Sequence, residues 1–110
     1  MAEVANPSVV EIVHPDVSSV IGFRLRAMNP SLVITYADVA VPGIPPLNAN
    51  GRYEVSMGGL SAALAVEQHG QDLAVMAAAY NAGGYSEFVA GNRSWSYTPV
   101  PASPTAVIIP

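Results

Sequence analysis

The stretch that decides the fold is Leu73-Ala74-Val75-Met76-Ala77-Ala78-Ala79-Tyr80-Asn81-Ala82-Gly83-Gly84-Tyr85-Ser86. Every second residue from Leu73 to Ala79 is Leu, Val or Ala, so a strand would direct all of them to one face of a sheet. The Asn-Ala-Gly-Gly segment that follows tolerates positive φ and indicates a tight hairpin turn. A buried strand that leads into such a turn predicts the last hairpin of a β-sandwich.

Turn residues recur at short intervals along the rest of the chain, a spacing typical of an all-β sandwich rather than of a helical or α/β protein. Residues 60–69 are good helix formers and predict one or two helical turns that end at Gly70. The strands expected between the turns are Ser8–Val13, Val20–Ala27, Leu32–Val41, Arg52–Met57, Asp72–Tyr80 and Ser94–Thr98.

The composition limits the possible functions of this 110-residue chain, which is long enough for one domain. There is no cysteine, which excludes disulfides and thiolate metal sites. Charged residues make up 11%, against roughly 25% in ordinary domains. We therefore expect partner subunits to cover the surface, the alternative being a small, adhesive, isolated domain. A net charge of −4 argues against nucleic acid as a partner.

The N-terminal residues 1–7 have no basic segment followed by a long apolar run, so we expect no signal peptide. The longest apolar run, near residues 74–80, is too short to span a bilayer, and no membrane partner is expected. All four basic residues are arginine, and alanine, valine, glycine and proline are abundant. This usage indicates a GC-rich coding bias and favours a bacterial or bacteriophage origin, with synthesis in a cytoplasm.

Two segments carry a resemblance to fibronectin type III domains, seven-stranded relatives of the immunoglobulin sandwich. Ala79-Tyr80-Asn81-Ala82-Gly83-Gly84-Tyr85-Ser86 resembles the family's A-x-N-x-x-G-x-S at the end of strand F, and Ile21-Gly22-Phe23-Arg24-Leu25 resembles its I-x-G-Y-x-V of strand C. Val41-Pro42-Gly43 and Tyr53–Leu60 are weaker matches. The resemblance covers roughly residues 8–98.

The chain departs from the family's pattern at several points. Val13 stands where the family has a core tryptophan, and Leu73 stands where it has a tyrosine at the strand F corner. Residues 61–71 form an insertion. If Ser8–Val13 is strand B, residues 1–7 are too short to serve as strand A. A sandwich without strand A would expose an apolar groove and an unpaired sheet edge.

The C-terminal arm, residues 99–110, begins as a proline-spaced extended linker and continues into an apolar, β-prone segment. A disordered terminus is normally polar, so this segment is expected to lie on a surface. Two placements of the arm remain open: it fills the groove of its own sandwich, or it reaches a neighbouring copy by strand donation. The residues expected to bind the partner are Ala106, Val107, Ile108 and Ile109.

No constellation of residues indicates catalysis or a cofactor. His14 and His69 lack converging ligands, so both are interpreted as turn residues and no metal site is expected. Ser18-Ser19 lies near His14 and Asp16, but residues so close in sequence rarely form a triad, and no nucleophile elbow accompanies them.

The acidic residues are scattered singly along the chain. Glu11 and Glu54 fall within strand alternations and are expected on solvent faces rather than as paired catalytic carboxylates. Residues 67–72 are the nearest approach to a calcium loop, and they offer too few oxygen ligands in sequence. Asn92-Arg93-Ser94 matches the glycosylation acceptor pattern, which has no expected role without a secretory signal.

Aromatic residues concentrate in the last quarter of the chain. Tyr80 or Trp95 is expected in the core, depending on register. Tyr85 and Phe88 follow the hairpin turn and are candidates for a partner-binding loop, because exposed aromatic side chains are frequent binding anchors.

The sequence thus predicts an all-β, immunoglobulin-like (fibronectin type III-like) antiparallel β-sandwich at residues 8–98, between an N-terminal arm, 1–7, and an extended C-terminal arm, 99–110. The expected function is that of a non-enzymatic structural protein of a bacteriophage virion, a capsid decoration or tail-associated protein. Its expected partners are protein subunits of a capsid or tail lattice, or copies of itself. The alternative is a monomeric module that binds carbohydrate or a protein receptor through its aromatic loop.

Overall fold

A computed structural model describes residues 3–99 and 101–110; Met1, Ala2 and Val100, which belong to the two expected arms, lie outside the described residues. The described part is built mostly of antiparallel strands with little helix, which confirms the all-β class. In chain order the elements are β1 (Val4–Ala5), β2 (Val9–Ile12), β3 (Gly22–Met28), β4 (Thr35–Pro42), β5 (Tyr53–Ser56), α1 (Gly58–Ala62), a 3₁₀ turn (Val66–Gln68), β6 (Ala74–Asn81), β7 (Gly84–Tyr85), β8 (Val89–Ala90) and β9 (Trp95–Ser96).

The first sheet has the strand order β4–β3–β6–β7, and β8 also pairs with β6. Leu25 lies opposite Ala77 across β3 and β6, and Ala27 lies opposite Val75, so the predicted alternation of β6 is confirmed. Tyr80 pairs with Tyr85, which confirms the hairpin and leaves Ala82 and Gly83 as its two-residue loop.

The final strand of the molecule is interrupted rather than continuous. β7 and β8 both pair with β6, and Trp95 of β9 forms an antiparallel bridge with Leu73, so the strand expected at 94–98 is the last part of a path that begins at residue 84. Residues 86–88 and 91–94 separate these short strands and are not strand themselves. The Gly91 N–H still donates to the Val75 carbonyl at 2.8 Å, so the pairing with β6 continues one residue past β8. A Cβ at Gly91 would lie 2.8 Å from Val75 Cγ1, so a larger residue there requires the Val75 side chain to move.

β1 pairs in parallel with β9, with Val4 opposite Trp95. The Val4 N–H donates to the Ser94 carbonyl at 3.2 Å, and the Asn6 N–H donates to the Ser96 carbonyl at 2.8 Å. Residues 4–6 are therefore attached to the last strand, whereas the sequence indicated an N-terminal arm too short to form a strand.

The second sheet is formed by β2 and β5, in a register that runs from Val9 opposite Ser56 to Ile12 opposite Tyr53. Residues 46–48 extend this sheet beyond β5, because the Glu54 N–H donates to the Pro46 carbonyl at 3.2 Å. Among the described residues, no strand pairs with the opposite edge of β2.

Side chains of both sheets meet in one hydrophobic core. β3 contributes Leu25, β5 contributes Val55, and the inward residues Val10 and Ile12 of β2 pack against the cluster. The remaining buried members are Ala27, Ala37, Met57, Leu60, Leu64, Leu73, Val75 and Trp95. Of the two aromatic residues expected in the core, Trp95 is buried and Tyr80 lies on the outer face of the first sheet.

The one or two helical turns expected within residues 60–69 are present as two short pieces. The first, α1, begins at Gly58 and ends at Ala62; Leu60 and Leu64 are buried, whereas Val66 is exposed. A 3₁₀ turn follows, and Gly70 takes a φ of +81°, the left-handed conformation that ends the segment.

The C-terminal arm does not lie on its own sandwich. Residues 101–110 are exposed and contain no helix or strand. Val107, Ile108 and Ile109 are 88%, 82% and 93% exposed. The molecule measures 63 × 30 × 27 Å along its principal axes, as expected for a small sandwich with one extended appendage.

Candidate functional site

An apolar groove runs along the open side of the sandwich, between the free edge of β2 and the β6–β8 side of the first sheet. It encloses a cavity of about 250 Å³. Val10 and Ile12 form one wall, and Ala77 and Ala79 form the floor. The floor is deep because the inward side chains of β6 at these positions are methyl groups, which leave space that larger residues would fill.

Val89 shows that this side of the core is uncovered. Val89 lies opposite Ala77 in the register of β8 and β6, so its side chain projects to the inner face of the first sheet. The side chain is nevertheless 70% exposed. In the described part of the chain, the second sheet therefore ends one strand short of the width needed to cover Val89.

The edge of β2 that borders the groove has backbone groups available for pairing. The Met57 N–H donates to the Ser8 carbonyl at 2.9 Å, and the Glu54 N–H points away from β2 to Pro46. In an antiparallel pair, hydrogen-bonded and non-hydrogen-bonded positions alternate. Val9 and Glu11 therefore direct their N–H and C=O groups to the free edge, where a further strand could add.

The groove continues toward β1 and β9 as a second cavity of about 620 Å³, bordered by Val4, Pro7 and Trp95. Trp95 is the single tryptophan of the sequence. Its indole N–H is buried and has no hydrogen-bond partner among the residues that the structure describes. A buried donor without a hydrogen bond is costly, so the Trp95 indole N–H at this end of the groove destabilises the single chain.

A polar cluster marks the solvent side of β2. Glu11 lies opposite Glu54, and the Asn48 side-chain amide donates to both carboxylates. The Arg52 guanidinium contacts Glu11 at 3.2 Å. The hydrogen bond from Asn48, assisted by Arg52, lowers the pKa of Glu11 below its ordinary value. Both glutamates are exposed, as expected from the strand alternation.

Tyr85 and Phe88 lie on the outer face of the first sheet, away from the groove. Arg26 lies 3.8 Å from the centre of the Phe88 ring, and Arg24 lies 5.4 Å from that of Tyr85. Asp38 on β4 accepts a hydrogen bond from each guanidinium, the one from Arg26 at 2.7 Å. Tyr85 is 57% exposed. The two aromatic residues thus lie beside each other on the sheet face, with Tyr85 in β7 rather than at a loop tip, and an arginine of β3 lies over each ring.

The remaining candidates form local turn structures. The Asp16 N–H donates to His14 Nδ1 at 3.1 Å, and the Ser18 N–H donates to Asp16 Oδ1 at 2.9 Å. This second bond lowers the pKa of Asp16. His69 packs edge-on against Tyr97 with ring centres 5.4 Å apart.

Across residues 3–99 and 101–110, no three metal-ligating side chains cluster together. No helix in the described ranges has both the length and the apolar character needed to cross a bilayer. No family model, curated protein or solved structure matches this chain.

The residues predicted from sequence to bind a partner fall in two separate places, the exposed arm and the outer aromatic face. Sequence reasoning anticipated a groove but not its lining, which comprises Val10, Ile12, Ala77, Ala79 and Val89. The run Ala77-Ala78-Ala79 was the available signal, because consecutive small residues in a core strand leave unfilled volume.

Proposed function

We propose that this chain is a non-enzymatic structural subunit that joins other protein subunits through the β2 edge with its groove and through Ala106–Ile109 of the arm. One observation carries the proposal. Within the described residues, the same chain exposes an apolar groove beside an unpaired strand edge and an apolar, β-prone segment that is left almost entirely in solvent. Each feature alone is unfavourable in water. Docking of such a segment on the strand edge covers the groove and buries the apolar side chains of the segment.

The energetics favour such docking. Full burial of one valine or isoleucine side chain stabilises by about 1.5–3 kcal/mol. Each added edge hydrogen bond contributes about 0.5–1.5 kcal/mol. Association costs at least about 4 kcal/mol in lost freedom, so a single arm gives a weak contact. Many such weak contacts together stabilise a repeating assembly.

We extend the proposal to a virion, as a capsid decoration or tail-associated protein with an immunoglobulin-like, fibronectin type III-like sandwich. The low charge of the sequence supports a surface that repeated neighbours cover. The arginine-only basic set supports a bacterial or bacteriophage origin. The antiparallel order β4–β3–β6 packed against β2–β5 supports the sandwich. The edge and the arm supply one contact on each side of a subunit, as a lattice requires.

The test is the mass of the full chain in solution, measured by light scattering over a range of concentrations. We expect concentration-dependent assemblies, which Val107→Asn with Ile109→Asn abolishes while the fold is retained. Ala102→Asn, in the exposed linker part of the arm, is the matched control and leaves assembly intact. A full chain that stays monomeric at every concentration, alone and with candidate lattice proteins, would contradict the proposal.

A second candidate function is binding of carbohydrate or a receptor by the aromatic face. The exposure of Tyr85 beside Phe88 favours it. Tyr85→Ala would then weaken binding to a glycan array or receptor panel and leave the mass of the protein unchanged. Under the first proposal, the same variant leaves assembly intact and no ligand is captured.

A further inference from the structure

The apolar arm segment has the pattern of a strand that could fill the groove. In an extended conformation Val107 and Ile109 share one face, and Ile108 lies on the other. The groove offers a floor of methyl groups at Ala77 and Ala79, with room for branched side chains above it. One face of the segment therefore matches the floor in polarity and in shape.

The lengths also agree. Residues 9–14, which comprise β2 and the two residues after it, border the groove and its continuation toward β1 and β9. Both this stretch and residues 105–110 are six residues long. Extended at about 3.3 Å per residue, each spans about 20 Å. Residues 105–110 carry no charged side chain, so none would be buried without a partner on docking.

The linker directs the segment away from its own groove. Pro99, Pro101 and Pro104 fix φ at every second or third position and favour an extended spacer of about 3.1 Å per residue. The N–H of Thr98 donates to the Asn6 side chain at 2.8 Å, so the start of the arm is attached beside β1. Residues 101–110 are exposed and form no helix or strand, so the segment does not occupy its own groove.

We infer that the occupant of the groove is residues 105–110 of a second copy of this chain, added to the β2 edge with Val107 and Ile109 over Ala77 and Ala79. The inference rests on the proposed function and names its partner. Each copy then gives one segment and receives one. The contact joins two different surfaces, so it generates reciprocal pairs, rings or open filaments according to the angle between successive copies.

Disulfide trapping tests the inference, because the sequence has no cysteine and each introduced thiol is unique. The cysteine of the receiving copy is placed on β2, because neighbouring strands lie within disulfide range whereas facing sheets lie about 10 Å apart. Full-length chains with Ile12→Cys and with Val107→Cys, distinguished by mass tags, are mixed and mildly oxidised. A disulfide requires Cα atoms roughly 4.4–6.8 Å apart, so we expect the mixed disulfide in at least about tenfold excess over a control. The control pairs Val107→Cys with Ala40→Cys, an exposed position on the outer face of β4.

If Ile12→Cys fails to fold, Val10→Cys paired with Ile109→Cys replaces it, because Val10 faces the same groove from the same strand. A chain that carries both cysteines separates the two routes. Intermolecular disulfides support donation between copies, and closure within one chain at high dilution overturns it.

A second readout uses Trp95, which borders the groove and is the single tryptophan. A peptide of residues 103–110, titrated into the Val107→Asn/Ile109→Asn full chain, should shift its emission. The same peptide with both Asn substitutions should not.

Assembly that persists without the mixed disulfide and without the fluorescence shift overturns the inference while the proposed function stands, because the copies then join through another contact and the groove is left for a different protein. A chain that never assembles overturns both.

Discussion

Val89 lies directly opposite Ala77 on the inner face of the first sheet, and yet its side chain is 70% exposed. An inward-facing valine in an antiparallel sandwich is normally covered by the second sheet. The second sheet ends at β2 within the described residues, so Val89 projects past it. This pair defines where the core is open and what a further strand would bury.

The first prediction concerns Val89. Val89→Ser should change the free energy of unfolding of the dissociated chain by less than about 0.5 kcal/mol, because the side chain is mostly in water. It should nevertheless weaken assembly, because the docked strand loses an apolar contact. Chemical denaturation and light scattering measure the two effects. A large loss of stability without a change in assembly would show that Val89 is already covered in the single chain.

The second prediction concerns Gly22, which pairs with Tyr80 across β3 and β6. A Cβ at Gly22 would lie 2.5 Å from the Val41 carbonyl oxygen and 2.6 Å from the Tyr80 hydroxyl. The tyrosine can rotate, but the backbone carbonyl cannot move without disturbing β4. We expect Gly22→Ala to destabilise by about 1–3 kcal/mol. Gly59→Ala, where a Cβ meets nothing within 4 Å, is the control in the same denaturation assay.

The third prediction concerns Asp38, which accepts hydrogen bonds from both Arg24 and Arg26. Asp38→Asn removes the charge that holds the two guanidinium groups together over Tyr85 and Phe88. We expect a loss of about 1.5–3 kcal/mol, since both hydrogen bonds are charge-assisted and partly buried. The loss should shrink in high salt, where the wild-type attraction is screened. Equal stability of the two proteins at low salt would mean that the network contributes nothing.

The fourth prediction concerns the pKa of Glu11, which the Asn48 amide and then Arg52 lower. A carboxylate with a depressed pKa in the folded state adds stability above its ordinary pKa, and this contribution is lost as the pH falls through the folded value. Asn48→Ala should raise the pKa of Glu11 toward its ordinary value. The free energy of unfolding should then decrease less in the variant than in the wild-type protein as the pH falls.

NMR titration of the Glu11 carboxyl checks this prediction. Asp16 is the internal control, because its pKa is lowered by the Ser18 N–H and should not move in Asn48→Ala. An unchanged Glu11 titration would show that the Asn48 contact does not persist in solution.

The parts of the fold that local rules determine were predictable. The alternation from Leu73 to Ala79 identified β6, and Asn81–Gly84 identified its hairpin, because the alternation of side chains along a strand and the residue types of a turn are local properties. The bounds of β2 and β5 agreed with prediction within one or two residues.

Other parts depend on contacts between distant residues, which no local pattern encodes. The last strand consists of short pieces because its register shifts between Tyr85 and Val89 and again before Trp95, and β1 exists because Val4 bonds to Ser94. The helical turns within 60–69 are divided, and Val66 in the second is exposed. Intrinsic propensity alone could not show that absence of packing.

The candidate site was predictable in outline. A first strand too short for its role implied an open edge, and the apolar arm implied a segment in need of a surface. The lining of the groove was not predictable, because it depends on how far β2 stops short of β8 in three dimensions. The stacking of Arg24 and Arg26 on the aromatic rings was missed for the same reason, since β3 and residues 85–88 are far apart in sequence.

Hydrogen exchange at the free edge of β2 tests the open groove most directly. The amide exchange rates of Val9 and Glu11 are compared between the full chain at assembling concentration and the Val107→Asn/Ile109→Asn variant. We expect strong protection of these two amides in the assembly and rapid exchange in the variant, while the amide of Val55 in the β5 core is slow in both. Rapid exchange of Val9 and Glu11 within a fully assembled protein would contradict the docking of any strand on this edge.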